Sequence, residues 1–451
     1  MKPRKPAALE TDDLFRSCLD QIINDKHELA VLSQQIDWDY LDTQVEPFFA
    51  IEGRPAIRSR LMIGLHLLKH MYQLSDERVC EAWVENPYYQ FFCGEKYFQH
   101  RLPIQRSSMT HWRQRIGDDF FEKLIQESLR IAHENKALKK NQLRRIVVDT
   151  TVQPKAVAFP TDVQTRYKAL CALVKLSKQH NVSLRQSYLR VCKTALIKSG
   201  RYRHAKQMKR AKRQERFIQI RLGRVIRDIR RKTADSSKLK ESFSLALKNA
   251  TVLQKQTRTS KEKRYSWHAP EVECIGKGKV AKPYEFGCKV SVTTSINPAP
   301  AGHFVLHITA LHGRPFDGHT LKPVLESYEQ QVGTTPERVY VDKGYQGHHF
   351  EPKNRVFKSG QKRGVHGVIK KELRRRSVVE PIIGHLKADH HLGRNYLKGQ
   401  QGDKVNALLS GAGYNFKLLL KWFKLYFAQI ILRYLFCIKK LTPNFHELVP
   451  G

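Results

Sequence analysis

Residues 143–154 read LRRIVVDTTVQP, and at this point the chain changes character. Ile146, Val147 and Val148 form an unbroken β-branched run, with basic residues before it and an acid, two threonines and a proline after it. An apolar run of this length and setting predicts a strand buried on both faces and ending at Asp149. An acid at the end of a central strand is costly to bury alone. Asp149 is therefore either a turn cap or one member of a charged site.

Upstream of this strand the pattern is helical. Residues 1–44 read as a small helical leader, and residues 45–140 as an all-helical domain. Within that domain Ile57, Leu61, Leu65 and Leu68 recur at offsets of three and four, Pro87 and Gly94 punctuate, and SSMTHWRQRIG and FFEKLIQESLRIAHEN supply two more helices. Arg113, beside Trp112, is placed to reach a DNA groove, or else belongs to a solvated basic face.

Downstream, residues 160–265 interrupt the strand pattern. Between Arg185 and Lys232 stand 18 Lys or Arg against Glu215 and Asp228, yet Phe217, Ile220, Leu222, Val225, Ile226 and Ile229 keep a helical apolar stripe. The segment predicts a basic helix or helical hairpin, with Arg224, Arg227 and Arg231 offered to phosphates. Strands return in YEFGCKVSVTTSI and HFVLHITALHG, joined by INPAPAGH as a hairpin. A helix in HTLKPVLESYEQQV follows, then a strand in RVYVDKGYQG that ends on an acid, Asp342. The order predicts a mixed α/β fold, a mixed sheet with helices packed against it.

The stretch RRRSVVEPIIGHLK, residues 374–387, adds a third acid. On a helix Arg376, Glu380, Gly384 and Lys387 fall near one line, with Val378, Val379, Ile382, Ile383 and Leu386 on the other side as a buried apolar flank. Ser377 and Glu380 also have the spacing of a capping box, which would leave Glu380 a purely local role. Asp149 and Asp342 ending neighbouring strands, with Glu380 from a flanking helix, would form a cage for two divalent ions about 3.5–4 Å apart. Mg²⁺, or Mn²⁺, suits such carboxylates together with phosphate oxygens.

Composition narrows the partners. Of 451 residues, 81 are Lys or Arg and 42 are Asp or Glu, a formal charge of +39. With a mean hydropathy of −0.53 this points to a polyanion, nucleic acid before membrane. The opening MKPRKPAALETDDLF lacks the apolar core of a signal peptide. The apolar segment 414–437 is broken by Lys417, Lys421, Lys424 and Arg433, so residues 421–451 read as a basic amphipathic helix and tail, with no membrane span. Eight scattered cysteines with no C-x-x-C pair fit a reducing, cytoplasmic setting.

The blocks VVDTTVQPKAVAFPTD, HAPEVECIGKGKVAKPYEFGCKVSV, GRPFDGHTL, VYVDKGYQGH and RRRSVVEPIIGHLKADHHLGRNYLKG resemble, in order, those of bacterial insertion-sequence transposases of the DDE superfamily, the insertion-sequence-five family. The resemblance implies an RNase H-like catalytic domain over residues 141–159 and 266–420, interrupted by the basic insertion and preceded by a DNA-recognition domain. It implies metal-dependent cleavage and strand transfer at terminal inverted repeats, with Asp149, Asp342 and Glu380 as the triad. Arg376 and Lys387 match the signature that surrounds the third acid, and Leu373 stands where that signature has tyrosine. These two cations, with Lys343 beside Asp342, are expected on DNA phosphates. Element ends and target DNA are the expected partners, and pairing two ends implies a homodimer. The alternatives are a nuclease of the same fold without strand transfer, and a non-catalytic DNA-binding relative.

Overall fold

The computed structural model describes residues 17–50, 52, 56–257, 259–276, 283–347 and 355–441, with side chains as far as residue 425. Residues 1–16 of the expected leader and 442–451 of the tail lie outside the described residues. The chain divides into two compact units. One comprises Met1–Gln153, Lys289–Leu397 and Gln401–Gly451, and the other Pro154–Cys288 with Lys398–Gln400.

The first unit opens with eight helices: α1 (Leu19–Ile22), α2 (Glu28–Gln35), α3 (Trp38–Val45), α4 (Ser59–Met71), α5 (Asp76–Glu85), α6 (Pro87–Phe92), α7 (Ser107–Ile116) and α8 (Asp119–Glu134). α4 is apolar almost all round, with Leu61, Met62, Ile63, Leu65, Leu67 and Leu68 buried, and so becomes the centre of this group. α8 is one-sided and buries Phe120, Phe121, Leu124, Ile125 and Ile131. The helical periodicity read from the sequence is thus realised.

The sheet follows. β1 (Arg145–Pro154) pairs in parallel with β5 (Arg338–Val341), which pairs in parallel with β6 (Val356–Lys358). On the other side of β1 lies β3 (Tyr284–Ser295), and β4 (Val305–Leu311) pairs antiparallel with β3, as the hairpin reading expects. The Ile296 N–H donates to the Arg145 carbonyl. Helix α13 (Asp317–Val332) packs on β4. The fold is therefore mixed α/β, a mixed sheet flanked by helices.

The sequence ends β1 at Asp149, but the strand runs five residues further. Its extension is gripped by the long C-terminal helix α16 (Gly399–Leu441), where the Gln153 amide donates to the Asp403 carbonyl at 3.0 Å and accepts from Asn406 at 2.9 Å. The amphipathic helix expected from residue 421 is thus the second half of a helix that begins at Gly399. Asn415 on α16 both accepts from and donates to the Val305 backbone, at 2.9 and 2.8 Å, and donates to Ser128 Oγ. These bonds fasten α16 to β4 and α8.

The second unit contains the basic insertion together with residues on either side of it. The insertion is not a single hairpin but four helices, α9 (Asp162–Gln179), α10 (Leu189–His204), α11 (Met208–Lys232) and α12 (Ser237–Lys255), and β2 (Glu273–Gly276) pairs on the first half of β3. Leu170, Leu173, Ile218, Leu222, Phe243 and Leu253 give the insertion a core of its own, against which Trp267 packs. Of the expected stripe, Leu222, Val225, Ile226 and Ile229 are buried while Ile220 is exposed.

At Gly413 α16 comes close to the backbone of α4. A Cβ built there would lie 2.8 Å from the carbonyl carbon and 3.0 Å from the carbonyl oxygen of His70, backbone atoms that cannot swing aside. Gly413→Ala is expected to lower stability by about 1–3 kcal/mol, the ordinary cost of overpacking, and chemical denaturation measures it directly.

Candidate active site

Parallel pairing brings the first two acids together. Arg145, Ile146 and Val147 stand opposite Arg338, Val339 and Tyr340. Continued two residues, that register sets Asp149 beside Asp342, just past the end of β5. Asp149 is largely enclosed, and its Oδ1 accepts from the Thr150 N–H at 2.8 Å. Asp342 is half exposed.

The third acid arrives through α14 (Gly367–Arg374). Glu372 on this helix is buried and accepts from Tyr340 Oη at 2.5 Å, from Arg338 at 2.9 Å and from Arg145 at 3.2 Å. Burial raises the carboxyl pKa of Glu372, but these donors outweigh it and hold the value below the ordinary one. The acid thereby clamps α14 to the starts of β1 and β5. The chain then makes a 3-10 turn over Arg375–Val378 and enters α15 (Val379–Asp389). No side-chain cap forms at either start, so the Ser377–Glu380 capping box is absent. Glu380 lies exposed in the first turn of α15, while Val379, Ile382 and Leu386 fix the other face in the core.

One cation faces all three acids. Arg376 Nη1 lies 3.7 Å from Asp149 Oδ2, and Nη2 lies 3.7 Å from Asp342 Oδ1 and 3.5 Å from Glu380 Oε1. The guanidinium is only 14% exposed, and its Nη1 has no hydrogen-bond partner among the described residues. The distances are those of charge attraction rather than of close hydrogen bonds. Burial raises the Asp149 pKa to about 6, with Asp342 and Asp317 adding to the rise and the Thr150 N–H and Arg376 opposing it.

Asp317 stands at the first position of α13. Its Oδ1 accepts from Thr150 Oγ1 at 2.8 Å and from Lys289 Nζ at 2.9 Å. Gly344, two residues after Asp342, comes so close that a Cβ would meet Asp317 Oδ2 at 3.2 Å. Asp317 therefore holds β1 beside Asp149 through Thr150 and packs closely on the turn that follows Asp342. Sequence reasoning missed Lys289 and Glu372. A single acid in the basic run KKELRRRS was the available signal for Glu372.

The remaining expected contacts are distributed as follows. Lys387 lies on α15 two turns past Glu380 and is partly buried, and Lys343 is exposed next to Asp342. Arg224, Arg227 and Arg231 are exposed along α11. Arg113 does not face a groove. It is buried, donates to Asp76 Oδ1 at 3.0 Å and Oδ2 at 2.6 Å, and meets His66 Nε2 at 3.1 Å. The neighbouring Lys69 shares Asp76, so the acid consumes the charge that the sequence left unassigned. His390 and His391 are likewise internal fasteners, bonded to the carbonyls of His70 and Leu74.

Among the described residues no three His, Cys, Asp or Glu side chains are grouped closely enough to hold a metal ion as they stand. A guanidinium stands among Asp149, Asp342 and Glu380. As a donor set, three carboxylates of which two are solvent-facing would suit a hard divalent cation. No described helix is long and apolar enough to cross a membrane.

Residues 17–115 match a family model described as a transposase domain, DUF772. The chain is 48% identical over 207 residues to a Rhizobium meliloti protein described as "Uncharacterized protein ORF8 in nfe locus". That match covers 46% of this chain and the whole of the relative. No solved structure matches the chain.

The raised pKa of Asp149 sets a pH test. Between the ordinary value of 3.8 and about 6 the folded protein binds a proton that the unfolded chain has lost, so stability falls as pH rises through that window. Asp149→Asn lacks this loss. Thermal unfolding of both metal-free proteins across the window should show the wild type weakening relative to the variant, and parallel curves would refute the assignment.

Proposed function

We propose that this chain, which belongs to the same family as the Rhizobium meliloti protein and carries a transposase domain at residues 17–115, is a DDE transposase of the insertion-sequence-five type, binding the terminal inverted repeats of its element and catalysing DNA cleavage and strand transfer. The observation that carries the reading is the meeting of Asp149, Asp342 and Glu380, from two strands and a helix, around Arg376. A non-catalytic relative would have no reason to keep three acids turned toward one point at the expense of their mutual repulsion. Parallel strands that bear two of the acids, beside an antiparallel hairpin, support an RNase H-like core.

In this reading Asp149, Asp342 and Glu380 would hold Mg²⁺ or Mn²⁺, two ions in all. When bound, the ions supply Lewis acidity to the phosphate and lower the pKa of the attacking hydroxyl. The chain's own groups do the rest. Asp317, through Thr150 and Lys289, keeps the Asp149 segment of β1 in place, and Glu372 keeps Glu380 aimed at it. Lys343 and Lys387 hold phosphates on either side of the acids. Water attacks phosphorus in line, the bond to the 3′ oxygen breaks and a 3′-OH is released. That hydroxyl then attacks a target phosphodiester in the same manner. Pairing two ends calls for a homodimer on DNA.

Arg376 has two roles in succession. Without metal its guanidinium offsets part of the acids' charge. With metal it is released to a DNA phosphate, since two cations and a guanidinium would repel one another among the same oxygens.

Purified protein with Mg²⁺ and a plasmid carrying the element ends is expected to give nicks bearing 3′-OH at those ends. Asp149→Asn, Asp342→Asn and Glu380→Gln should each reduce nicking by roughly a thousandfold, several kcal/mol of barrier, with end binding unchanged. Unchanged nicking in the Glu380 variant would remove it from the triad. Joined donor–target products distinguish a transposase from a nuclease. Separately, Arg376→Gln should bind Mn²⁺ more tightly than wild type, read by electron paramagnetic resonance of free Mn²⁺. Equal or weaker binding would show that the guanidinium does not compete with metal.

A further inference from the structure

Within the second unit, the loop before α10 and the C-terminal half of α11 enclose an open cleft of about 470 Å³. Five guanidinium groups line it, Arg185 from the loop and Arg224, Arg227, Arg230 and Arg231 from α11, against the single acid Asp228. That acid is already engaged. Asp228 Oδ2 accepts from the Arg185 backbone N–H at 2.9 Å and lies 3.7 Å from Lys232 Nζ, and Oδ1 lies 3.4 Å from Arg231 Nη2. Asp228 thus pins the loop to the helix and leaves the concavity strongly positive. Like charges gathered in one hollow repel each other, and a bound polyanion relieves that repulsion.

Tyr188 forms part of the wall. It sits at φ +55°, ψ 10°, the left-handed region that a bulky residue seldom adopts. Such strain persists where surroundings impose it and gathers at ligand clamps. Here the loop is held by Asp228 and by the Lys232 ammonium on the Ser183 carbonyl, and Tyr188, partly buried against the insertion's apolar core, lines the same cleft as the arginines. A duplex is convex and keeps its bases stacked inside. A hollow that combines arginine forks with an aromatic face instead suits a strand whose bases are free to stack on protein.

We propose that this cleft binds a single-stranded DNA segment, one or two nucleotides deep, with phosphates on the arginines and a base against Tyr188. The proposal rests on the DNA-processing reading above and deepens it by assigning part of the insertion to a strand outside the duplex.

The test uses the full chain and fluorescence anisotropy with a labelled oligothymidylate of about eight nucleotides, within the usual single-strand site size, and a labelled duplex. Arg224→Gln combined with Arg227→Gln should weaken oligothymidylate binding at least tenfold. Arg213→Gln combined with Arg216→Gln, which removes the same charge from exposed positions of α11 outside the cleft, should weaken it less than threefold. Tyr188→Asn, a residue that tolerates the left-handed backbone, should weaken oligothymidylate binding about tenfold and leave duplex binding unchanged. Circular dichroism confirms that each variant is folded. Equal losses from the two arginine pairs would overturn the cleft, as would inorganic phosphate displacing the oligonucleotide as well as unlabelled DNA does. Duplex binding with no oligothymidylate binding would overturn the cleft alone, whereas failure to bind either DNA would overturn the reading on which it rests.

Discussion

Three carboxylates turned toward one guanidinium are the arrangement on which the rest of the first unit depends. Asp149, Asp342 and Glu380 would repel one another if nothing positive stood among them, and Arg376 supplies that charge from within the chain. The arrangement is not a set of strong salt bridges. Separations of 3.5–3.7 Å and an unpartnered Nη1 leave the guanidinium held by field rather than by hydrogen bonds. A cation held in this way eases the repulsion among the acids and can still be exchanged.

The scaffold around it is built to keep those acids apart from the core while fixing their direction. Parallel register delivers two of them side by side. Glu372, with Arg145, Arg338 and Tyr340, ties α14 to the far ends of the same two strands, so the helix that follows is referenced to the sheet itself. Removing one partner of such a buried cluster leaves charge uncompensated, which is why it reads as an anchor and not as decoration.

Much of this was legible in the sequence. Asp149 and Asp342 stood out because short β-branched runs end on an acid only where something compensates it, and the RRRSVVEPIIGHLK stretch placed Glu380 between cations. The full reach of β1 was not legible, since the bonds that extend it come from Gln153 to residues 403 and 406, some 250 positions away. Arg113 misled for a related reason. Its partner Asp76 lies 37 residues earlier, and nothing local distinguishes an arginine that neutralises a buried acid from one that meets a phosphate. The insertion's charge was plain, but its own hydrophobic core arises from apolar positions shared among four helices, a pattern no single stripe reveals.

The grip of α16 on β1 also bears on how the molecule comes into being. β1 emerges early in synthesis, yet its last residues and the edge strand β4 are secured by Asp403, Asn406 and Asn415. Contacts of such sequence separation form slowly, because a long loop must close before they are rewarded. A nascent chain made at about 5–20 residues per second therefore completes its helices and its insertion well before the acids are locked into register. The meeting of the three acids is consequently a late event in folding, and it depends on a helix whose sequence is the last to be made.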